Sequence, residues 1–165
     1  TNMDNEIIST IESKFPEEVL YSASEDKRIL LTVKEIIFHQ ILSNLKDMGF
    51  DHLSDVTLVD YINEGEFELI YHLWAHSKKI RAIVKTRILR ESPKIKSIVD
   101  LWIGAQIHER EGHEMFGVEF EGNPDLSPLF LEDWEEIPPF RKDFDIREYV
   151  KREYYGEDKG YFGQK

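Results

Sequence analysis

The chain reads as an α+β domain, a mixed, largely antiparallel sheet with helices packed on it, followed by an extended C-terminal tail. Three observations predict this. Apolar residues recur at helical spacing in three stretches. Short runs of alternating or β-branched residues, separated by polar turns, fill the intervals between them. Beyond residue 122, Pro124, Pro128, Pro138 and Pro139 break any long regular element.

Taken in order, residues 3–14 put Ile7, Ile8 and Ile11 on one helical face, and Phe15-Pro16 ends that helix. Residues 19–23 and 28–31 read as two strands joined by the polar turn Glu25-Asp26-Lys27. Thr32-Val33-Lys34-Glu35 has the form of a capping box, in which the threonine hydroxyl and the glutamate satisfy each other's backbone amides. A helix over 33–48 is therefore predicted, with Ile37, Phe38, Ile41, Leu42, Leu45 and Met48 on one face. Gly49 stands where a helix end favours a left-handed residue. Residues 55–62, 66–76 and 80–89 read as strands separated by Asn63-Glu64-Gly65 and Ser77-Lys78-Lys79, which makes an antiparallel meander. Pro93 then opens a predicted long helix over 94–115, with Ile95, Ile98, Val99, Trp102, Ile103 and Ile107 as its apolar stripe.

The division expected is a domain over 1–122 and a tail over 123–165. Nine of the chain's twenty aromatic rings lie in those last 43 residues: Phe130, Trp134, Phe140, Phe144, Tyr149, Tyr154, Tyr155, Tyr161 and Phe162. Left in water they would expose apolar area at a cost of ~25 cal/mol per Å². Either the tail folds back on its own domain or it lies along another protein. The second is favoured, because the domain already accounts for itself.

Composition narrows the function. With 41% apolar residues the chain can build a core, yet no run approaches the ~20 apolar residues of a membrane span. The polar start Thr1-Asn2-Met3-Asp4-Asn5-Glu6 lacks a signal-peptide pattern, so the expectation is a soluble, cytoplasmic protein that meets a membrane only through a partner. The net charge of −12, with basic residues interleaved among acidic ones, argues against nucleic acid as a partner. There is no cysteine, which removes disulfides, thiolate catalysis and the usual ligands of an iron–sulfur cluster. A charged fraction of 33% leans toward a thermophilic source, although an ordinary acidic protein fits as well.

The densest polar cluster is His108-Glu109-Arg110-Glu111-Gly112-His113-Glu114. Two histidines five apart are rotated by ~140° on a helix, so they cannot share one zinc ion as an i, i+4 pair does. Glu109 and His113, four apart, could chelate a metal or simply hydrogen-bond along the helix. Projecting the apolar stripe forward brings Glu109, Arg110 and His113 onto or beside the buried face. Charges there need partners. These are either the i, i+4 pairs Glu109–His113 and Arg110–Glu114, or another element or subunit; position on the face favours the latter. Asp55 and Asp60, five apart in a strand, point to opposite faces and read as a turn former and a surface charge. Asp133, Glu135 and Glu136 flank Trp134 as a solvated run, and Arg141-Lys142-Asp143 can position the tail by charge-assisted hydrogen bonds.

The stretch Glu109-Arg110-Glu111-Gly112-His113-Glu114-Met115-Phe116-Gly117-Val118-Glu119-Phe120-Glu121-Gly122 resembles the signature of the respiratory-chain NADH dehydrogenase 30 kDa subunit family. The likeness continues through Asn123-Pro124-Asp125-Leu126, Leu131-Glu132-Asp133-Trp134-Glu135 and Phe140-Arg141-Lys142-Asp143-Phe144, and upstream through Asp55-Val56-Thr57-Leu58-Val59-Asp60-Tyr61 and Ser97-Ile98-Val99-Asp100-Leu101-Trp102. It departs from the family pattern at Asn123, Ser127, Glu114 and Glu136-Ile137-Pro138-Pro139. These departures look like the archaeal cousins: a membrane-bound [NiFe]-hydrogenase, a sulfur-reducing complex or a coenzyme F(420) dehydrogenase.

The resemblance implies a role rather than a reaction. Members of this family hold no cofactor of their own. Each is a non-catalytic structural subunit in the peripheral arm of a membrane-bound, ion-translocating oxidoreductase, at the cytoplasmic face of the membrane. Its partners are a large hydrogenase-like (49 kDa-type) subunit and a small iron–sulfur subunit, which hold the iron–sulfur clusters and, in hydrogenases, a NiFe centre. Glu109, Arg110, Glu111 and Phe116 are then expected to shape a partner interface at the helix end. Trp134, Arg141, Lys142, Asp143 and Phe144 are expected to anchor the tail. Two alternatives stand beside this: a small metal-dependent hydrolase using Glu109 and His113, and a free-standing adaptor domain.

Overall fold

The structure, a computed structural model, describes residues 3–155. Helix α1 (Met3–Lys14) buries Ile7, Ile8 and Ile11, as its spacing predicts. A hairpin of β1 (Val19–Glu25) and β2 (Arg28–Val33) follows. Asp26 and Lys27 take φ of +39° and +62° in its turn, the left-handed pair that a tight hairpin requires. A 3-10 turn over Glu35–Ile37 leads into α2 (Phe38–Asp47). The antiparallel meander is β3 (His52–Tyr61), β4 (Glu66–Ala75) and β5 (Ile80–Leu89). Next come the short strand β6 (Lys94–Lys96), helix α3 (Ala105–Phe116) and the short strand β7 (Glu119–Glu121). Among the described residues of the tail there is one helix, α4 (Ile146–Tyr155).

The main sheet runs β1-β2-β5-β4-β3. It is mixed because β2 and β5 are parallel while the other pairs are antiparallel. Strict alternation decides its faces. Phe67, Leu69, Tyr71 and Leu73 of β4, with Ile29, Leu31, Ala82 and Val84 beside them, are buried on one side. Helices α1 and α2 close that side, and the Phe38 ring lies 4.6 Å from Tyr71. Helix α3 covers the β3 end of the same side. There Gly112 approaches Leu58 and Phe120 so closely that a Cβ would sit 3.2 Å from each. Among the described residues no helix packs on the opposite face, where Leu30, Ile70 and Ile83 are half-buried. Among the described residues no helix is long and apolar enough to cross a membrane.

Two helical expectations are corrected. The helix predicted over 33–48 is only α2, preceded by the 3-10 turn. Val33 still belongs to β2, opposite Val19, and the Lys34 amide donates to the Glu18 carbonyl at 2.9 Å. Strand pairing therefore claims the residues of the apparent capping box, and no side-chain cap forms there. The far end is as expected, with Gly49 at φ +103°. The long helix over 94–115 is instead strand, turns and a shorter helix. Lys94–Lys96 pairs in parallel with Glu119–Glu121, and α3 starts only at Ala105. Ile95, Ile98 and Trp102 are buried, but Ile103 is 90% exposed and Ile107 51%. The apparent stripe is a coincidence of a strand, a turn and an indole whose Nε1 donates to the Phe50 carbonyl at 3.3 Å.

Two substitutions test the packing. Gly112→Leu should destabilise the fold by about 1–3 kcal/mol through overpacking against Leu58 and Phe120, measured by urea unfolding. The buried Tyr71 hydroxyl has no hydrogen-bond partner among the described residues, so Tyr71→Phe should leave stability unchanged or raise it. A clear loss in the second case would reveal a bridging group that the packing here does not include.

Candidate functional site

The polar residues of α3 each reach a different segment of the chain. Glu109 is fully buried. Its carboxylate accepts from the Ser97 hydroxyl at 2.7 Å, the Ile98 amide at 2.8 Å and the Asn123 side-chain amide at 2.7 Å. Burial pushes this carboxyl above the ordinary glutamate range, and the three donors offset only part of that. One side chain thus joins the approach to α3, α3 itself and the first residue of the tail.

From the next residue onward the contacts turn to the main chain of the tail. Arg110 donates from Nε to the Ser127 carbonyl at 3.1 Å and from Nη2 to the Pro128 carbonyl at 2.9 Å. Glu114 accepts from three consecutive amides, those of Leu129 at 3.2 Å, Phe130 at 3.0 Å and Leu131 at 2.7 Å. Successive N–H groups converging on one carboxylate form a charge-assisted anion cradle. His113 turns its Nδ1 to the Val118 carbonyl at 2.8 Å, so that nitrogen carries the proton. Gly117, at φ +79°, closes α3 and leaves room for Pro138, whose Cγ would lie 3.1 Å from an added Cβ. The Phe140 amide completes this contact by donating to the Met115 carbonyl at 2.9 Å.

A second clamp holds residues 141–143. Asp60, 3% exposed, accepts from Arg90 Nε at 2.8 Å and from the Lys142 amide at 2.8 Å. Arg90 Nη2 also reaches Asp143 at 2.8 Å, and Arg141 Nε meets the same carboxylate at 3.2 Å. Burial raises the Asp60 carboxyl, but the Arg90 hydrogen bond and the Lys142 amide outweigh it, leaving it below the ordinary aspartate range. Asp143 is likewise held low: burial again pushes upward, and Arg90 with Arg141 prevail. Beneath this network Phe67, Phe116 and Phe140 stack edge to face at 5.9 and 5.8 Å, with the Arg90 and Arg141 guanidiniums 5.6 and 5.4 Å from the Phe67 ring centre.

The structure therefore gathers Glu109, Arg110, Phe116, Arg141, Lys142 and Asp143 at one junction, between α3, the β3 end of the sheet and the tail. Trp134 and Phe144 lie apart, in a cluster with Tyr149 at ring distances of 5.1 to 5.8 Å. Glu111 points elsewhere, into a groove of about 270 Å³ shared with Asp55, His108 and Phe140. The i, i+4 pairs Glu109–His113 and Arg110–Glu114 do not form. The pair invoked for a hydrolase is also engaged, since Glu109 accepts from three donors and His113 serves Val118. Among the described residues no group of three or more metal-ligating side chains gathers. Tyr161 and Phe162 fall outside the described residues.

Sequence reasoning missed Asp60, Arg90, Ser97 and the tail-directed role of Glu114. Asp60 is no surface charge. It continues the inward alternation Val56, Leu58, Asp60, and a carboxylate in that register was the available signal.

The family model described as respiratory-chain NADH dehydrogenase, 30 kDa subunit, matches residues 31–150, a span that contains the whole junction. The chain belongs to this family. The C subunit of an F(420)H(2) dehydrogenase from Methanosarcina mazei is 34% identical over 146 residues, 84% of this chain and 90% of that protein. The C subunit of an NADH-quinone oxidoreductase from Novosphingobium aromaticivorans is 36% identical over 155 residues, 93% of this chain but 50% of that protein, so the chain spans about half the length of some curated relatives. A chain in the solved structure of the membrane-bound sulfane sulfur reductase, described as an archaeal respiratory membrane complex, superposes with a TM-score of 0.83 at 31% identity. That match covers 99% of this chain and 97% of the other. The family signature read in the sequence thus coincides with residues that hold the segment after 122 against α3 and β3.

The clamp around Asp60 makes a pH prediction. Its folded-state pKa lies below its unfolded value, near 3.8, so its stabilisation is present above that pH and is lost as pH falls through the lowered value. Asp60→Asn should cost about 3 kcal/mol at neutral pH and flatten the acid limb of a urea-midpoint profile. An unchanged profile would show that Arg90 and Lys142 find other partners.

Proposed function

We propose that this chain is a non-catalytic structural subunit in the peripheral arm of a membrane-bound, ion-translocating oxidoreductase of the complex I or [NiFe]-hydrogenase type. It holds a large hydrogenase-like subunit and a small iron–sulfur subunit together at the cytoplasmic face. Iron–sulfur clusters, and a NiFe centre in hydrogenase-type complexes, reside in those partners; the 165 residues here contain no cysteine to ligate a cluster in the usual way. Domain 1–122 is the platform, and 123–165 is the segment that meets the partners. Family membership and the close superposition on a chain of an archaeal respiratory membrane complex support this.

The observation that carries the proposal is the two-sidedness of the tail. On its inner side carboxylates and an arginine grip its main chain through Glu114, Arg110 and Asp60. On its outer side Phe130 is 63% exposed and Phe140 57%, with Ile137 and Ile146 also in solvent. A segment pinned by its backbone and turning apolar side chains outward is pre-organised for a partner, because ordering costs have already been met within the chain. Glu111 and Trp134, beside the grooves that flank this strip, complete the proposed interface.

Phe130→Asp combined with Ile146→Asp tests the proposal. Both side chains are exposed, so the isolated chain should keep its stability to within about 0.5 kcal/mol. Recovery of the other subunits with the tagged double variant should fall about tenfold or more. Recovery equal to wild type would refute the assembly role of this strip.

A further inference from the structure

The main sheet has a second face, and its charge pattern identifies what covers it. Leu30 of β2 lies directly opposite Ile83 of β5, and Ile70 sits a diagonal step away on β4; all three are half-buried. The same register sets Arg28 opposite Arg81 on one side of this apolar pair and places Lys85 on the other. Like charges in directly opposed positions repel. Arg28, Arg81 and Lys85 have no ion pair among the described residues. Two residues beyond Lys85 on the same face, Arg87 engages three carboxylates, those of Glu64, Glu66 and Glu68. Among the described residues this face thus neutralises one cation threefold, gives Arg28 only Glu25 across the β1–β2 hairpin without an ion pair, and leaves Arg81 and Lys85 with none, although acidic residues outnumber basic ones 33 to 21. His72, opposite Ile83, is pushed down by burial and, against the pull of Asp55, by the charges of Arg81 and Lys85.

We infer that this uncovered sheet face, with Leu30, Ile70 and Ile83 at its centre and Arg28, Arg81 and Lys85 around them, docks an acidic segment of another protein subunit. Apolar side chains at the middle of a flat face with unpaired charge at its margin match the anatomy of a protein–protein interface. A carboxylate-bearing segment supplies the missing counter-charges and relieves the Arg28–Arg81 repulsion. An anionic bilayer fits less well, because the whole chain carries −12 and repels it. A two-fold copy fits less well too, because it brings the same cationic margin against itself. The surface is separate from the tail strip. It rests on the subunit role proposed above and adds a second contact to it.

The test uses the assembled native complex and the full-length chain. A water-soluble carbodiimide joins a lysine amine to a carboxylate in direct contact. Lys85 is expected to appear coupled to an Asp or Glu of another subunit by mass spectrometry, and Lys85→Arg is expected to abolish that product while assembly persists. Arg81→Glu with Lys85→Glu should lower recovery of the other subunits about tenfold or more. The isolated variant should melt at or above the wild-type temperature, since a repulsion is removed. If the charge reversal lowers that temperature, Arg81→Gln with Lys85→Gln replaces it with the same readouts. Wild-type assembly by the variants overturns the inference and leaves the subunit role standing. Coupling of Lys85 only to a second copy of this chain overturns it, as does capture of the chain by phosphatidylglycerol vesicles that the substitutions abolish. Failure of the wild-type chain to recover any other subunit removes the subunit role, and this surface with it.

Discussion

The structure is organised around one buried carboxylate. Enclosing Glu109 completely is costly, and it is tolerated because three donors from two separate segments converge on it. Ser97 and Ile98 lie just after β6, Asn123 lies just after β7, and Glu109 rises between them on α3. These short strands are only three residues long, too little for a stable ribbon by itself. The carboxylate closes the loop that the strand pair opens, and so sets the direction in which the chain leaves the domain. Arg110, the next residue of α3, and Glu114, five residues on, take over from there.

Much of the sheet was legible because its signals are local. The meander follows from alternation in β4 and β5, and from turn residues whose conformations the chain actually adopts, such as Lys79 at φ +55°. Errors arose where a long-range pairing overrode a local pattern. Thr32-Val33-Lys34-Glu35 has every chemical feature of a helix start, but Val33 is held by Val19, and a ladder bond already claims the Lys34 amide. Ile95, Ile98 and Trp102 satisfy helical spacing, but Ile95 pairs with Phe120, a partner no window of adjacent residues can show.

The junction was half legible for a related reason. A charged cluster beside an apolar face needs partners, and Glu109 and Arg110 do have them, within this chain. Which partners was not readable, because Arg110, Glu114 and Asp60 all bind main-chain atoms in the tail. Backbone groups are present at every position and leave no trace in residue type. Arg90 and Asp143, by contrast, are complementary in charge, but 53 positions separate them and nothing local links them.

A grip on backbone has one further consequence. Between 127 and 131 the strap is held by α3 through carbonyl and amide groups. Apart from proline at 129–131, substitutions there leave the gripped carbonyl and amide groups in place, so the path across α3 does not depend on residue type. A strap routed in this way can carry different outward side chains along one unchanged course, which uncouples its folding from whatever it comes to face.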